Sequence, residues 1–595
     1  MSRVRTLLSH PWMPIVAALA GVALTLPSLG VGWHLDDQFH RVLLRDAEGL
    51  RGLGRAAMEL FRFVDGDPSS TRELMNGGVL PWWTDVEIKI AFWRPLTAST
   101  HWLDYRLWPE SPALMHAQSV LWYGALVGLV ALLQRGVMGA TWVAGLAGLL
   151  YALDDGHGMP VGWLANRNTV VAAVFGVAAC LAHDRWRRYG WRAGCVLGPL
   201  LLGLSVLAAE GGVGTFAYLI AHAVVLDRGS WRERATSLLP YMGVIVGWRV
   251  AWVALGFGSA HSELYTDPIV EPGAFVVGVV QRLPILTMGL LGVPPADVSV
   301  ALDGPTVWWL TLGGVVFVIV AVVLLTPLLR RDPATRFWAL GMVLALIPIC
   351  ATRPNDRLLM LAGIGGMALV AQFIAFAFDK TKRQSAGQWR RCVLRWCGTG
   401  LIVVHVVVAP LLLVVRATWP VGPPAWLEAL QVRAPFDESV QTQDVIVVNP
   451  PSMLHVGYLG LICDLEGTPV PRRVRALAPG LAGVVMERPD DRTLVVRPTG
   501  GYLAGKLDRL LRAKNRPLAL GQRIELVGMA AVITALTDDG RPAEIRFEFE
   551  LPLEDSSHRW LQWTGRDFVP FIPPAVGDRV ELIPDKPDSF QRTLM

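Results

Sequence analysis

The sequence predicts a polytopic α-helical membrane protein carrying a small β-rich extracytoplasmic domain at its C-terminal end. Three observations lead there. The 595 residues are 53% hydrophobic and only 17% charged, against roughly 45–50% and 25% in soluble domains. Apolar runs near the length needed to cross a hydrocarbon core recur up to residue 416. Beyond it the pattern changes to short alternating stretches punctuated by glycine and proline.

The charge balance narrows the class. A formal net charge of +5 is small for this length, and the arginines gather at the ends of apolar runs. A nucleic-acid binder would spread them along one face or stripe, so that class is excluded. Arginine far outnumbers lysine, a usage that fits a GC-rich bacterial genome and says nothing of mechanism. The six cysteines form no C-x-x-C pair, and only Cys463 lies in the C-terminal part. There is neither a disulfide framework nor a zinc motif.

The first apolar run, Trp12 to Leu29, follows a short basic N-terminus with Arg3 and Arg5. It lacks a small-x-small cleavage site before Trp33 and reads as an uncleaved helix. Further runs fall near 112–134, 139–153, 164–182, 193–209, 211–226, 237–256, 307–329, 337–350, 357–378 and 399–416, giving about 11 spans. The basic loops are Arg135, Arg185 to Arg192, Arg228 to Arg234, Arg330 to Arg336 and Lys380 to Arg395. The positive-inside rule puts them in the cytoplasm with the N-terminus. They share one side only if the apolar segment 272–292, which holds Arg282 and Pro284, enters without crossing. The expected division is thus a membrane domain over 1–416 with a large outward loop at 33–110, a linker at 417–435, and an extracytoplasmic domain over 436–595. The expected location is a bacterial inner membrane, with the last domain in the periplasm.

The outward ends hold the unusual residues. After the first run come His34, Asp36 and Asp37. Two adjacent carboxylates at a membrane edge can serve as a base and as a ligand for a cation or hydroxyl. Before the second run come Arg94, His101, Asp104 and Arg106, with His116 just inside it. Asp154, Asp155, His157, Trp163 and Arg167 follow the third, and Glu210 follows the fifth. Arg353, Asp356 and Arg357 precede the run at 357–378, and Arg249 lies within the seventh. Ionisable groups at membrane depth are costly and mark a pathway or site by default. Acids and arginines at every outward end point to one shared polar cavity. The planar guanidinium fork suits a phosphate there.

This order of features resembles the GT-C superfamily of membrane glycosyltransferases, most nearly the transmembrane O-mannosyltransferases linked to tetratricopeptide repeats and their bacterial relatives. An acidic pair in the first outward loop is similar to Asp36-Asp37, and an R-P-L-T stretch to Arg94-Pro95-Leu96-Thr97. A W-I-x-G-R stretch is similar to Trp163-Leu164-Ala165-Asn166-Arg167, and a K-E-G turn to Ala209-Glu210-Gly211. An E-R-Y-L-Y-L-P stretch is more loosely similar to Asp356 to Met360. The likeness spans residues 12–378. The chain departs from that family at Asp154-Asp155, where His-Pro is usual, at Met159, where an acid is usual, and at Ala209 in place of lysine. No 34-residue helical repeat follows residue 416.

The resemblance implies a polyprenyl-phosphate-linked sugar donor, such as a mannose-like hexose, and inverting attack by an acceptor hydroxyl outside the cytoplasm. It implies Asp37 or Asp36 as the base and Arg94, Arg167 and Arg357 as phosphate contacts. Other cavity candidates are His34, His101, Asp104, His116, Asp154, Asp155, His157, Glu210 and Arg249. No cofactor is named by the sequence, and a divalent cation is compatible with the acids. The acceptor is a protein, lipid or glycan. Two rival readings use the same polar residues: a transporter or lipid flippase, and a non-catalytic scaffold that presents the C-terminal domain.

That domain shows short strands at Val445 to Val448, Thr493 to Arg497 and Glu544 to Leu551. Gly521 to Leu526 is echoed by Gly577 to Leu582, each a turn feeding an alternating strand. Gly501 to Lys514 predicts one amphipathic helix, giving a barrel-like domain with a single helix. His455 and His558 stand alone and read as packing residues.

Reporter fusions after residues 230, 385 and 430 test the topology. The first two are expected to report cytoplasmic and the third extracytoplasmic. A cytoplasmic signal at 430 overturns the count of spans.

Overall fold

In the computed structural model the described residues are 2–45, 47–302, 304–379, 388–421, 436–478, 483–565 and 567–583. Most of the expected linker, 422–435, and part of the basic stretch, 380–387, lie outside them. The fold class is the expected one, a polytopic helical membrane protein with a β-rich C-terminal part. Eight described helices are long and apolar enough to cross a membrane, and four shorter apolar helices accompany them.

The helix ends obey local chemistry. Ser230 and Glu233 form a capping box at the start of Trp231–Ala254. Thr141 and Asp332 cap the helices Trp142–Leu153 and Pro333–Ile349. Gly190 ends Arg167–Tyr189 in the left-handed conformation.

Pro272–Leu291 is a continuous helix of 20 residues, long enough to span on length alone. Its neighbours fix its course. Thr311 donates to the Gln281 carbonyl at 3.2 Å, Gly314 abuts Pro284, and Gly292 abuts Phe317. The helix therefore runs in the same direction as Gly304–Arg331. It stops beside Phe317, roughly 20 Å short of Arg331 at about 1.5 Å per residue. The chain then returns, and the Ala296 N–H donates to Asp356 at 2.8 Å, just before the helix Met360–Phe378.

The outward loop and the C-terminal part are one body. Trp82, Trp83, Ile88, Met75 and Leu80 of the loop share a core with Val445, Ile446, Leu494, Ile545 and Phe547. The Trp82 indole donates to the Leu477 carbonyl at 3.1 Å, and Arg475 donates to the Met75 and Asn76 carbonyls at 2.9 and 2.8 Å. Gly78, at φ +87°, lies so close to Val474 that any Cβ would clash with its carbonyl. The expected boundary at 436 marks a change of sequence pattern rather than a separate fold.

Among the described residues the β-rich part forms two sheets rather than the expected barrel-like domain. A six-stranded antiparallel sheet runs Arg579–Leu582, Val484–Glu487, Thr493–Pro498, Pro542–Phe549, Met529–Leu536, Arg523–Leu526. The two echoed motifs are its opposite edges. A four-stranded sheet places Asp444–Val447 parallel to Arg473–Ala476 and to His558–Trp563. The first of those parallel connections carries two short helices, Met453–Gly457 and Leu459–Glu466.

The helix expected over Gly501 to Lys514 is absent; only the 3₁₀ turn Asp508–Leu511 forms. Gly500, Gly501 and Leu503 all have positive φ, which a right-handed helix excludes. Tyr502 is instead buried, and Lys506 donates to the Val300 and Leu302 carbonyls of the membrane domain.

Candidate active site

Asp36 and Asp37 open the helix Asp36–Arg45. The preceding Leu35 sits at φ +47°, an uncommon conformation for a branched side chain. Successive helical residues point about 100° apart, so the carboxylates diverge. Asp37 is 1% exposed; its Oδ1 accepts from the Ala165 N–H at 2.7 Å and its Oδ2 from the His34 N–H at 3.0 Å. Burial pushes its carboxyl up to about 8, against those two donors. Asp37 thus joins the first outward loop to the turn at 164–166.

Asp36 is half-buried and accepts from the Tyr458 hydroxyl at 3.1 Å. Burial holds its carboxyl above the usual range, opposed by Tyr458, then by the charges of Arg357 and Arg94.

The three predicted phosphate contacts separate. Arg167 is fully buried. It donates to Ser119 at 2.8 Å, Asp104 at 2.5 Å, the Met115 carbonyl at 2.6 Å, and Gln118. It is a structural clamp, and its expected role at a phosphate is corrected by this saturation. Arg94 pairs with Glu210 through Nε at 2.8 Å and lies over Phe92 and Phe61, at 4.3 and 5.1 Å. Glu210 also accepts from the Trp93 N–H at 3.1 Å. Arg357 lies over the Trp163 ring at 5.6 Å and, among the described residues, has no carboxylate within ion-pair distance. The Trp163 indole in turn donates to the His34 carbonyl at 3.2 Å, so one tryptophan ties Arg357 to the loop carrying Asp36.

The remaining expected residues mostly hold structure. His34 contributes its backbone N–H to Asp37, and its own ring is kept neutral chiefly by burial. His101 is buried against the rings of His40 and Phe61. Asp104 is the partner of Arg167. His116 meets the Gly32 carbonyl at 2.9 Å, and His157 meets the Tyr123 hydroxyl at 3.1 Å. Arg249 pairs with Asp267 at 2.6 Å and lies over Trp252 at 4.3 Å. Each of these already has an intramolecular partner or a packed ring.

Asp154 caps the turn at 155–157 by accepting from the Gly156 N–H at 3.0 Å. Asp155 meets a residue that the motifs did not single out. Arg416, near the end of the helix Ala409–Thr418, lies 3.3 Å from Asp155, 3.2 Å from Asp297 and 2.9 Å from Asp356. The available signal was an arginine at the outward end of a span, where the positive-inside rule leaves few.

What stays available is Asp36, Arg357 and the outer nitrogens of Arg94, all half-buried. A carboxylate can accept a proton while guanidiniums hold a departing anion. Among the described residues no group of three or more His, Cys, Asp or Glu has a geometry that could hold a metal ion.

No protein-family model matches the chain, and no curated protein matches it. Among solved structures it is similar to the oligosaccharyltransferase of Archaeoglobus fulgidus tethered to an acceptor peptide containing the NVT sequon. The TM-score is 0.38 at 12% identity, covering 80% of this chain and 65% of that one. The match therefore spans less than two thirds of that enzyme's length. ArnT from Cupriavidus metallidurans in the apo state gives a TM-score of 0.31 at 15% identity, covering 70% of this chain and 86% of that one. Neither lends a residue role to this chain.

The division between clamp and available arginine is testable by thermal unfolding of the purified full chain. Arg167→Ala leaves Asp104 buried and unpaired, and is expected to cost about 3–5 kcal/mol. Arg357→Ala is expected to stay within about 1 kcal/mol of wild type. Equal losses contradict the assignment.

Proposed function

We propose that this chain is a GT-C-type glycosyltransferase that moves a sugar from a polyprenyl-phosphate donor to an acceptor hydroxyl with inversion. The observation that carries the reading is half-buried Asp36 beside a cation held on the same loop: Arg357 lies over Trp163, whose indole donates to the His34 carbonyl two residues before Asp36. Asp36, Arg357 and Arg94 sit at the motif positions where the family resemblance expects a base and phosphate contacts.

In this reading the acceptor hydroxyl gives its proton to Asp36 as its oxygen attacks the anomeric carbon. The bond from that carbon to the phosphate oxygen breaks on the opposite face. The electron pair leaves with the polyprenyl phosphate, whose charge Arg357 and Arg94 hold. Arg357 is the stronger candidate because, among the described residues, no carboxylate lies within ion-pair distance of it, whereas Arg94 already spends its Nε on Glu210. Asp37 acts indirectly by fixing the loop. The reaction takes place at the end of the bundle covered by the β-rich part, which the arginine distribution puts outside the cytoplasm.

The test is sugar release from radiolabelled polyprenyl-phosphate mannose and glucose by the purified full chain. Asp36→Asn is expected to lower turnover about 10²–10⁴-fold, with donor binding kept. Undiminished turnover in Asp36→Asn removes Asp36 as the base. No turnover by wild type with either donor overturns the reading.

A further inference from the structure

The β-rich part reaches the candidate base directly. The helices Met453–Gly457 and Leu459–Glu466 meet at Tyr458, which is the C-cap of one and the N-cap of the other. The second helix lies against Asp36–Arg45, and Asp464 pairs with Arg45 at 3.1 Å. Gly457 comes so close to the Val79 carbonyl that an added Cβ would lie 2.6 Å from it. The junction is therefore fixed on the outward loop from both sides, and the Tyr458 hydroxyl donates to Asp36 Oδ1 at 3.1 Å.

We propose that Tyr458 is a positioning residue for Asp36: by occupying Oδ1 it fixes the rotation of the carboxylate and leaves Oδ2 to take the acceptor's proton. This rests on the glycosyl-transfer reading. It gives the C-terminal part a defined duty, because the reacting surface is complete only when that part is docked. An ionised carboxylate holding one O–H donor keeps a lone pair aimed in one direction. A freely rotating one spends most of its time misaligned, and small misplacements of a reacting group cost rate steeply.

The test compares Tyr458→Phe with wild type in the full chain, using radiolabelled polyprenyl-phosphate mannose and glucose as probes. Phenylalanine keeps the ring and its packing and removes only the hydroxyl. The expected result is a fall in kcat of about tenfold to a hundredfold, the range for a hydrogen bond to a charged group. The donor KM and the thermal midpoint are expected to stay near wild type. Asp464→Ala, which loosens the same junction without touching Asp36, is expected to keep kcat.

An undiminished kcat in Tyr458→Phe overturns the proposal and leaves the glycosyl-transfer reading standing. So does an equal loss in Asp464→Ala, because docking alone then accounts for the effect. Absence of turnover in wild type overturns both.

Discussion

Arg416 is the constraint on which the site end of the bundle depends. A single guanidinium on the helix Ala409–Thr418 meets Asp155, Asp297 and Asp356, which arrive on three different loops. Asp356 is fixed again by the Ala296 N–H, and its own N–H donates to Asp297 at 3.1 Å. Removing one partner from such a partly buried network strands the others, which is costly. Arg357 follows Asp356 directly, so an arginine with no carboxylate within ion-pair distance among the described residues is held in place by its neighbour's bonds. The same economy recurs across the site end. Arg167 consumes Asp104, and Asp37 consumes two backbone N–H groups.

Much of the fold was legible in the sequence because it follows from local pattern. Every apolar run became helical in the described residues. The paired turns at Gly521 and Gly577 each fed a strand, as alternation predicts. The miss at Gly501 to Lys514 has a local cause as well: amphipathic spacing was weighed above two consecutive glycines, which open the segment to positive φ.

The roles within the site were not legible, and the reason is physical. Asp36 and Asp37 are chemically identical in sequence; what divides them is the Ala165 N–H, 128 residues away. Arg167 and Arg357 likewise read alike until Asp104, Ser119 and Gln118 are seen to enclose the first. Motif spacing locates charges, but only the assembled loops decide which are used up. Tyr458 carried no signal, because its partner lies 422 residues earlier. The joint core of Trp82 and Trp83 with the C-terminal sheets was hidden for the same reason. That core explains how a domain that reads as an appendage delivers a side chain to the membrane-edge site.

The most direct measurement is the affinity of the purified chain for radiolabelled polyprenyl phosphate without a sugar. It isolates the anion contact from the chemistry. The account predicts that Arg357→Ala weakens binding about tenfold to a hundredfold, with Asp36→Asn binding at least as tightly as wild type. An Arg357→Ala variant that binds with wild-type affinity would contradict it and leave the phosphate without its proposed partner.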